Sequence, residues 1–244
     1  MRYLLTLLLV TFFYTASIAG ENITYSVDDQ QYDGYFIKKQ SEAPLVLIIH
    51  DWDGLTDYEK KRAQMLADLG YNVFAADLFG SGVRPTEVKD KRQHTGELYK
   101  DRSKMRRIIN GALDTAKAQG LNTENAVIAG YCFGGAAVLE LARSGADLKG
   151  FVTFHGGLET PEGQDYSSAK GKILVMHGTA DTSVTMEHFA NLAKELEENN
   201  VEHEMITYGG APHAFTVFDT ERYREDADKK SWQRFTDFLG NTLK

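Results

Sequence analysis

The chain has a single cysteine, and it lies between an apolar segment and a helix-forming segment, in Gly130-Tyr131-Cys132-Phe133-Gly134-Gly135. The apolar run over 125–129 predicts a strand, and the good helix formers over 136–143 predict a helix. A sharp strand-to-helix turn crowds the backbone, and glycines on both sides of the cysteine relieve that crowding. The turn would place the sulfur at a helix N-terminus, where unpaired N–H groups favour a thiolate. The segment therefore predicts a reactive thiol in an α/β chain; the alternative is a buried structural thiol.

Two later segments supply an acid and a histidine. An apolar run over 172–177 predicts a strand that leads into a loop ending at Asp181. A second predicted strand, over 201–208, is followed by a loop of small residues that contains His213. The order nucleophile, acid, histidine is the order found in α/β-hydrolases, and it differs from the chymotrypsin and subtilisin orders. We therefore predict that Cys132, Asp181 and His213 are catalytic.

Strands and helices alternate along the chain, which predicts a doubly wound, mostly parallel sheet with helices on both faces. Catalytic groups are expected at the carboxyl ends of its strands. Residues 79–96 are polar and contain Gly and Pro, so they predict a long surface loop. The other predicted strands cover 34–38, 45–50, 72–76, 126–131 and 150–155, and the predicted helices cover 58–69, 97–119, 136–143, 185–199 and 231–239.

The first 19 residues have the pattern of a secretory signal peptide. Met1-Arg2 is a short positive region, residues 4–14 are apolar, and Ser17 and Ala19 are small residues before a cleavage site. We predict cleavage after Ala19, a periplasmic or secreted location, and a single domain over 20–244. An uncleaved anchor is the alternative, but the apolar run is shorter than the ~20 residues that a membrane span prefers.

Composition restricts the partners. With 244 residues and 42% hydrophobic content, the chain is long enough for one α/β domain with a full core. The net charge is −8 and there is no basic stripe, so nucleic acid is not an expected partner. We expect a small-molecule ester or lactone as substrate, no stable membrane span after signal cleavage, and a monomer or a small homo-oligomer.

With these motifs the chain resembles the dienelactone hydrolase family of α/β-hydrolases, and the resemblance extends from about Gly20 to the C-terminus. The matching segments are Gly130 to Gly135, His177-Gly-Thr-Ala-Asp181, Pro212-His-Ala-Phe215, Asp51-Trp-Asp-Gly-Leu55 and Ala76-Asp-Leu-Phe79. The resemblance implies an α/β-hydrolase fold and the hydrolysis of an ester or enol-lactone through an acyl-thioester. Cys132 would attack the carbonyl, His213 would act as base and then as acid, and Asp181 would orient the imidazole.

The resemblance also implies roles for two backbone N–H groups and one carboxylate. The oxyanion would be held by the N–H of Phe133 and by the N–H of Trp52. The family places a glutamate in the loop after the second predicted strand, where it manages the resting proton of the thiol. Here that position is Asp51, one methylene shorter. Either the backbone compensates for the shorter side chain, or Asp51 has no such role.

Substrate recognition departs from the family pattern. Dienelactone enzymes clamp a substrate carboxylate with two arginines, and the positions expected for them hold Ser81 and Val217. Arg84 is near enough in sequence to contact a substrate. We therefore expect a neutral or apolar ester, lactone or thioester, in a pocket lined by Phe79, Trp52 and Phe215; ordinary core packing is the alternative for these aromatic residues.

Other functions agree less well with the sequence than hydrolysis does. His50, His155 and His177 end predicted strands but show no metal-binding spacing, so we expect no metal and no cofactor. A protein of this fold that binds a ligand or partner without turnover is the main alternative, although a binding protein has no need of all three catalytic residue types. A redox or acyl-carrier role for Cys132 is weakened because there is no second cysteine to resolve an oxidised thiol.

Overall fold

Eight strands form one sheet in the computed structural model, which describes residues 19–243. All of the predicted signal peptide except Ala19 lies outside the described residues. The strands are β1 (Glu21–Val27), β2 (Gln30–Ile37), β3 (Pro44–Ile49), β4 (Asn72–Ala76), β5 (Asn122–Tyr131), β6 (Gly150–Phe154), β7 (Lys172–Gly178) and β8 (His203–Tyr208). The helices are α1 (Asp57–Asp68), α2 (Val88–Lys100), α3 (Arg102–Ala118), α4 (Phe133–Arg143), α5 (Met186–Glu198) and α6 (Glu225–Thr242).

The strand order is β1-β2-β4-β3-β5-β6-β7-β8. The pairs β1–β2 and β2–β4 are antiparallel, and all the pairs from β4–β3 to β7–β8 are parallel. The predicted mostly parallel sheet is therefore confirmed. Because β3 and β5 to β8 run in the same direction, the loops that follow them meet at one edge of the sheet.

Each face of the sheet has its own apolar core. Side chains of α3, α4 and α5, including Ile108, Val138 and Leu196, are buried on one face. Side chains of α1 and α6, including Leu66 and Phe235, are buried on the other. The central strands are buried on both faces, which explains why they read as continuous apolar runs.

The structure differs from the sequence-based prediction at the first strand and between residues 79 and 119. Strand β1 was not predicted, because Glu21–Val27 is an exposed edge strand in which only Tyr25 is buried. Residues 88–96, predicted as loop, belong to α2, and the single helix predicted over 97–119 is instead the end of α2 followed by α3. Asp101 separates the two helices and caps α3, since its side chain accepts a hydrogen bond from the Lys104 N–H at 2.8 Å.

Within the described range, no helix is both long and apolar enough to cross a membrane.

Candidate active site

Cys132 occupies the turn between β5 and α4 with a left-handed backbone, φ 52° and ψ −113°. Such a conformation is strained for a residue with a side chain and persists where the surroundings enforce it. The Cys132 N–H donates to the Phe154 carbonyl at 3.0 Å. A side chain at position 130 would overlap the Gly134 carbonyl, and one at position 134 would overlap the carbonyls of β3 and its loop. The glycines on either side therefore allow α4 to lie against the sheet with the thiol at its N-terminus.

The three predicted catalytic side chains are hydrogen-bonded in a row. His213 Nε2 lies 3.0 Å from Cys132 Sγ, and His213 Nδ1 lies 2.7 Å from Asp181 Oδ2. Asp181 follows β7 and His213 follows β8, so neighbouring parallel strands deliver them to the same edge as Cys132. The geometry is that of a nucleophile, a base and an orienting carboxylate.

The electrostatics of the row favour a charged histidine. Burial opposes the charge, but the hydrogen bonds to Asp181 and Cys132 outweigh it and raise the pKa of His213 to about 10. Burial also opposes the charge of Asp181, yet the hydrogen bonds from His213 and from two backbone N–H groups lower the pKa of Asp181 below its usual value. Those N–H groups, of Ser183 and Val184, donate to Asp181 Oδ1 at 2.8 and 2.9 Å. A protonated His213 next to the sulfur favours the thiolate.

Two backbone N–H groups near the thiol are unpaired. Phe133 is the first residue of α4, and a first-turn N–H has no acceptor within its own helix. Trp52 lies in the loop after β3 and lines the same pocket as Cys132. Within residues 19–243, no protein acceptor is found for either of these two N–H groups. Both are therefore free to donate to an oxyanion.

Asp51 lies on the wall of the pocket beside a second buried carboxyl group. Its Oδ1 accepts the Asp53 N–H at 2.9 Å, and in the described structure it makes no hydrogen bond to the thiol, which pairs with His213. Burial, together with the charges of Glu59 and Asp53, raises the pKa of Asp51 well above its usual value. Burial likewise raises the pKa of Glu59 to about 7, despite hydrogen bonds from Thr56. Asp51 is thus a carboxyl group that can retain a proton near the thiol.

The pocket around the thiol is small and has two arginines at its rim. Its volume is about 320 Å³, within the range of small-molecule sites. Arg92 of α2 and Arg222, which precedes α6, are both exposed, and neither forms an ion pair with any described residue. The complete lining comprises Asp51, Trp52, Arg92, Cys132, Ser183, His213, Ala214 and Arg222. The rim of the pocket therefore carries two cations, whereas the sequence predicts a neutral or apolar substrate.

Three predicted substrate contacts lie outside this pocket. Arg84 donates to the Leu55 and Val83 carbonyls and pairs with Asp33 and Asp77 at 3.4 and 3.5 Å, so its guanidinium is already satisfied. Phe79 is buried with its ring 4.6 Å from His50 and 5.5 Å from Phe133.

Phe215 is fully buried in the core between the sheet and helices α1 and α6, where its ring lies 5.3 Å from that of Tyr208. Its neighbour two residues earlier, His213, faces the pocket. The same loop therefore supplies one catalytic candidate and one core residue. Of the three aromatic residues predicted to line the pocket, only Trp52 does so.

The strand-end histidines each have a separate hydrogen-bond partner. His50 Nδ1 donates to the Asp51 carbonyl, His155 Nε2 lies 2.8 Å from Thr216 Oγ1, and His177 Nε2 donates to the Val184 carbonyl at 2.9 Å. Among the described residues, no group of three or more His, Cys, Asp or Glu side chains could hold a metal ion.

Sequence reasoning missed Arg92, Arg222 and Ser183 as pocket residues. Arg92 could have been found only by recognising residues 88–100 as a helix, which their polar composition and Gly96 obscure. Arg222 lies nine residues after His213, in a loop whose path no local pattern specifies. Ser183 donates its backbone N–H to Asp181. A hydrogen bond of this type, from the residue two positions after an aspartate in a short loop, could have been expected from the sequence.

Comparison with known protein families gives one match that covers most of the chain. The family model described as the dienelactone hydrolase family matches residues 32–243. A Yersinia pestis protein whose name provisionally assigns it as a carboxymethylenebutenolidase is 26% identical over 210 residues, covering 80% of this chain and 77% of that protein.

Two solved structures are similar over 94% of this chain and 100% of their own. One is described as a dienelactone hydrolase-like promiscuous phosphotriesterase, P91, from metagenomic libraries; it is 29% identical, with a TM-score of 0.86. The other is described as m3DLH; it is 31% identical, also with a TM-score of 0.86. A Pyrococcus horikoshii acylaminoacyl peptidase shares the fold at 15% identity, a TM-score of 0.74, and coverage of 95% of this chain and 42% of its own.

Proposed function

The chain belongs to the dienelactone hydrolase family, and on that premise we propose that it is an exported thiol hydrolase that cleaves a small ester or lactone. The observation that carries the proposal is the continuous hydrogen-bonded row from Asp181 through His213 to Cys132, which opens into a pocket of about 320 Å³. Asp181 holds the Nδ1–H of His213, so Nε2 is the nitrogen that exchanges protons with the sulfur and the substrate.

Acylation begins with attack of the Cys132 thiolate on the substrate carbonyl carbon. The carbonyl oxygen becomes an oxyanion, to which the N–H groups of Phe133 and Trp52 would donate hydrogen bonds. When the tetrahedral intermediate collapses, the C–O bond to the leaving group breaks. The leaving oxygen takes the proton from His213 Nε2, and an acyl-thioester remains on Cys132.

Deacylation reverses the proton flow. His213 Nε2, now neutral, takes a proton from water while the water oxygen attacks the thioester carbonyl. Collapse expels the Cys132 thiolate, leaves a carboxylic acid product and regenerates the imidazolium. In a lactone the acid and the alcohol belong to the same molecule, so one ring-opened product is released.

The two rim arginines indicate a substrate with an anionic group. An exposed guanidinium without a carboxylate partner is available to bind a carboxylate, and Arg92 and Arg222 both lie on the pocket that contains the thiol. Although the whole chain has a net charge of −8, these side chains make the entrance locally positive. We therefore propose a small ester or lactone that carries a carboxylate, in place of the neutral substrate expected from sequence.

A phosphotriester is a second candidate substrate class. It is favoured by the similarity to the structure described as a promiscuous phosphotriesterase. The same thiolate would attack phosphorus and expel the leaving alcohol or phenol, which takes the proton of His213 Nε2, while the same N–H donors would face the phosphoryl oxygen. Water, deprotonated by His213, would then cleave the P–S bond and release the phosphodiester and the thiolate. Hydrolysis of diethyl p-nitrophenyl phosphate by the protein, lost in Cys132→Ala, would support this activity, whereas no release of p-nitrophenol would exclude this substrate.

Turnover of p-nitrophenyl acetate and butyrate by residues 20–244, beside the Cys132→Ala variant, tests the proposal. We expect turnover by the wild type and none above background in the variant, whose circular dichroism spectrum should be unchanged. Cys132→Ser should retain only trace activity, because an alcohol is far less acidic than a thiol. Equal slow rates in wild type and Cys132→Ala would refute the thiol hydrolase and favour the non-catalytic binding protein.

A further inference from the structure

A second histidine lies directly behind His213. His155, the residue after β6, is fully buried and has a left-handed backbone with φ 40°. Its ring centroid is 5.4 Å from that of His213, with the two planes inclined at 64°, an edge-to-face arrangement. His155 therefore forms part of the wall against which the candidate catalytic imidazole rests.

The ring of His155 is tied to the loop that carries His213. His155 Nε2 lies 2.8 Å from the hydroxyl of Thr216, three residues after His213. The same hydroxyl lies 2.7 Å from the hydroxyl of Tyr58, and the Thr216 carbonyl accepts a hydrogen bond from Arg62 Nη2 at 2.8 Å. Thr216 is fully buried, so these bonds are shielded from water.

The far end of this chain is anchored in the interface between α1 and α6. Arg62 is buried, forms an ion pair with Asp228 of α6, and donates its Nε–H to Tyr58 at 3.3 Å. Its guanidinium also lies over the rings of Phe218 and Trp232, 4.2 and 5.1 Å from their centroids. The chain of contacts thus runs from a rigid helix interface to the His213 loop.

We propose that His155 is a positioning residue, which together with Thr216 and Tyr58 holds the His213 loop and ring so that Nε2 faces the Cys132 sulfur. This inference rests on the proposed function, because it concerns the geometry of the same catalytic pair. His155 itself touches neither the sulfur nor the pocket, and it acts through His213.

Two unfavourable features of His155 are explained by this role. Its backbone is left-handed, and its Nδ1 is buried without a hydrogen-bond partner among the described groups. Strained or unsatisfied groups of this kind are retained where the surrounding structure needs them. Burial, and then the charge of His213, holds the pKa of His155 well below its usual range, so it packs against the imidazolium as a neutral ring.

Substitutions that remove single hydrogen bonds test the proposal. Thr216→Val removes the shared hydroxyl at constant volume, and His155→Phe keeps a ring but loses the Nε2 contact. For each we expect kcat on p-nitrophenyl butyrate to fall about tenfold with little change in KM, as expected for a misplaced catalytic group. Thr216→Ser, which keeps the hydroxyl, should restore kcat.

The pH profile separates positioning from stability. In Thr216→Val, the weaker bonds of His213 to Asp181 and Cys132 should lower the pKa of His213, so the alkaline limb of kcat/KM should move to lower pH. The other ionisable and charged side chains around the Cys132–His213 pair are the same in this variant and in wild type. They are His177 at the end of β7, Asp181 after β7, Asp51 after β3, Arg62 of α1, Arg92 and Tyr99 of α2, and Arg222 before α6.

Thr153→Val is the matched control. Thr153 is buried in β6 and its hydroxyl has no hydrogen-bond partner in the described structure, so its loss should leave both kcat and the profile unchanged. Wild-type kcat and an unshifted profile in Thr216→Val and His155→Phe would overturn the proposal, even if both variants melted at lower temperature. A loss of kcat with an unshifted alkaline limb would also overturn it.

Alkylation of Cys132 by iodoacetamide distinguishes this inference from the proposed function. It reports the Cys132–His213 pair without requiring an ester substrate. We expect the rate at pH 6 to fall about tenfold in Thr216→Val but not in Thr153→Val, because a displaced His213 no longer activates the sulfur. If the wild type hydrolyses no ester but this difference appears, the proposed function fails and the positioning role stands.

Discussion

At the scale of single residues, the candidate site depends on one proton-carrying imidazole between a carboxylate and a sulfur. The bond of 2.7 Å to Asp181 fixes the Nδ1–H tautomer of His213, and the contact of 3.0 Å to Cys132 directs Nε2 at the nucleophile. The three side chains come from three separate loops, so their geometry depends on each strand end being in register.

Asp181→Asn should lower kcat for p-nitrophenyl butyrate by about 10³- to 10⁴-fold, because an amide can hold the wrong histidine tautomer. The folded-state pKa of His213 should also fall from about 10, since the hydrogen bond that His213 donates to Asp181 is the largest cause that raises it. A pH–rate profile would show this as an alkaline limb at lower pH. Asp237→Asn, an exposed change on α6, should leave both quantities as in wild type. An unchanged rate in Asp181→Asn would show that Asp181 does not orient His213 for catalysis.

The residues of this row could be predicted from sequence, as could Trp52 on the pocket wall, but the two rim arginines could not. Cys132 and Asp181 follow buried apolar strands, and His213 follows the half-buried edge strand β8. Parallel strands bring such ends together whatever the details of the loops. Arg92 and Arg222 reach the site from a polar helix and an irregular loop, where no hydrophobic period exists to place them. Arg84 was predicted from its nearness in sequence, and its contacts with Asp33 and Asp77 keep it elsewhere.

At the scale of elements, α2 supplies one of the two cations at the pocket rim. Its Thr95 and Leu98 side chains are buried, and its Arg92 lines the pocket that contains the thiol. Lys91 of the same helix pairs with Asp53 at 3.0 Å and lies 5.2 Å from the centroid of the Trp52 ring, which ties α2 to the loop after β3.

Arg92→Gln and Arg222→Gln should each raise KM for p-nitrophenyl hemisuccinate about tenfold, the loss expected for one charge-assisted contact. Neither should change KM for p-nitrophenyl butyrate, which has no anionic group. Arg107→Gln removes an exposed arginine that pairs with Asp28 at 2.6 Å, and it serves as the matched control. Equal effects on the two esters would show that the arginines do not recognise an anion.

The first turn of α1 should make stability depend on pH. Burial raises the pKa of Glu59 to about 7, above its usual 4.5, so the folded state holds a proton that the unfolded chain releases between these values. The stability that comes from the protonated Glu59 is therefore fully present below pH 4.5 and is lost as the pH rises through 7. Between pH 5 and pH 8, the free energy of unfolding of Glu59→Gln should rise by about 2 kcal/mol relative to that of wild type.

Urea unfolding of wild type and Glu59→Gln at both pH values measures that gain. Glutamine keeps the capping contact with Thr56, so the comparison isolates the charge. Asp57→Asn, an exposed change in the same turn, should show no such dependence on pH. A constant difference between wild type and Glu59→Gln at the two pH values would contradict the account.

At the scale of the whole molecule, the parallel character of the sheet agrees with the burial of its central strands. The predicted alternation of strands and helices was sufficient for the sheet, because its central strands are apolar on both faces and separated by amphipathic helices. The prediction failed at β1, where only Tyr25 is buried, and at α2, where only Thr95 and Leu98 are buried. Helix α5 also buries only two residues, but its apolar spacing, with Phe189, Leu192 and Leu196, is helical, whereas the polar sequence of α2 contains no such period.

Export is a prediction for the whole chain. If residues 1–19 are a signal peptide, expression of the full chain in a bacterium should give a periplasmic protein whose N-terminus is Gly20, by mass spectrometry. A charge in the apolar region, Leu8→Arg, should retain the uncleaved precursor in the cytoplasm, because the apolar region must enter the membrane. If the wild-type chain stayed at full length in the cytoplasm, the prediction of export would be wrong.

Mass spectrometry of the protein quenched within the first turnovers of p-nitrophenyl butyrate would detect the acyl-thioester itself. We expect a butyryl adduct on the peptide that contains Cys132, formed as p-nitrophenol is released, and absent from Cys132→Ala. Turnover with no adduct on Cys132, or the same adduct on another residue in both proteins, would contradict a thioester mechanism.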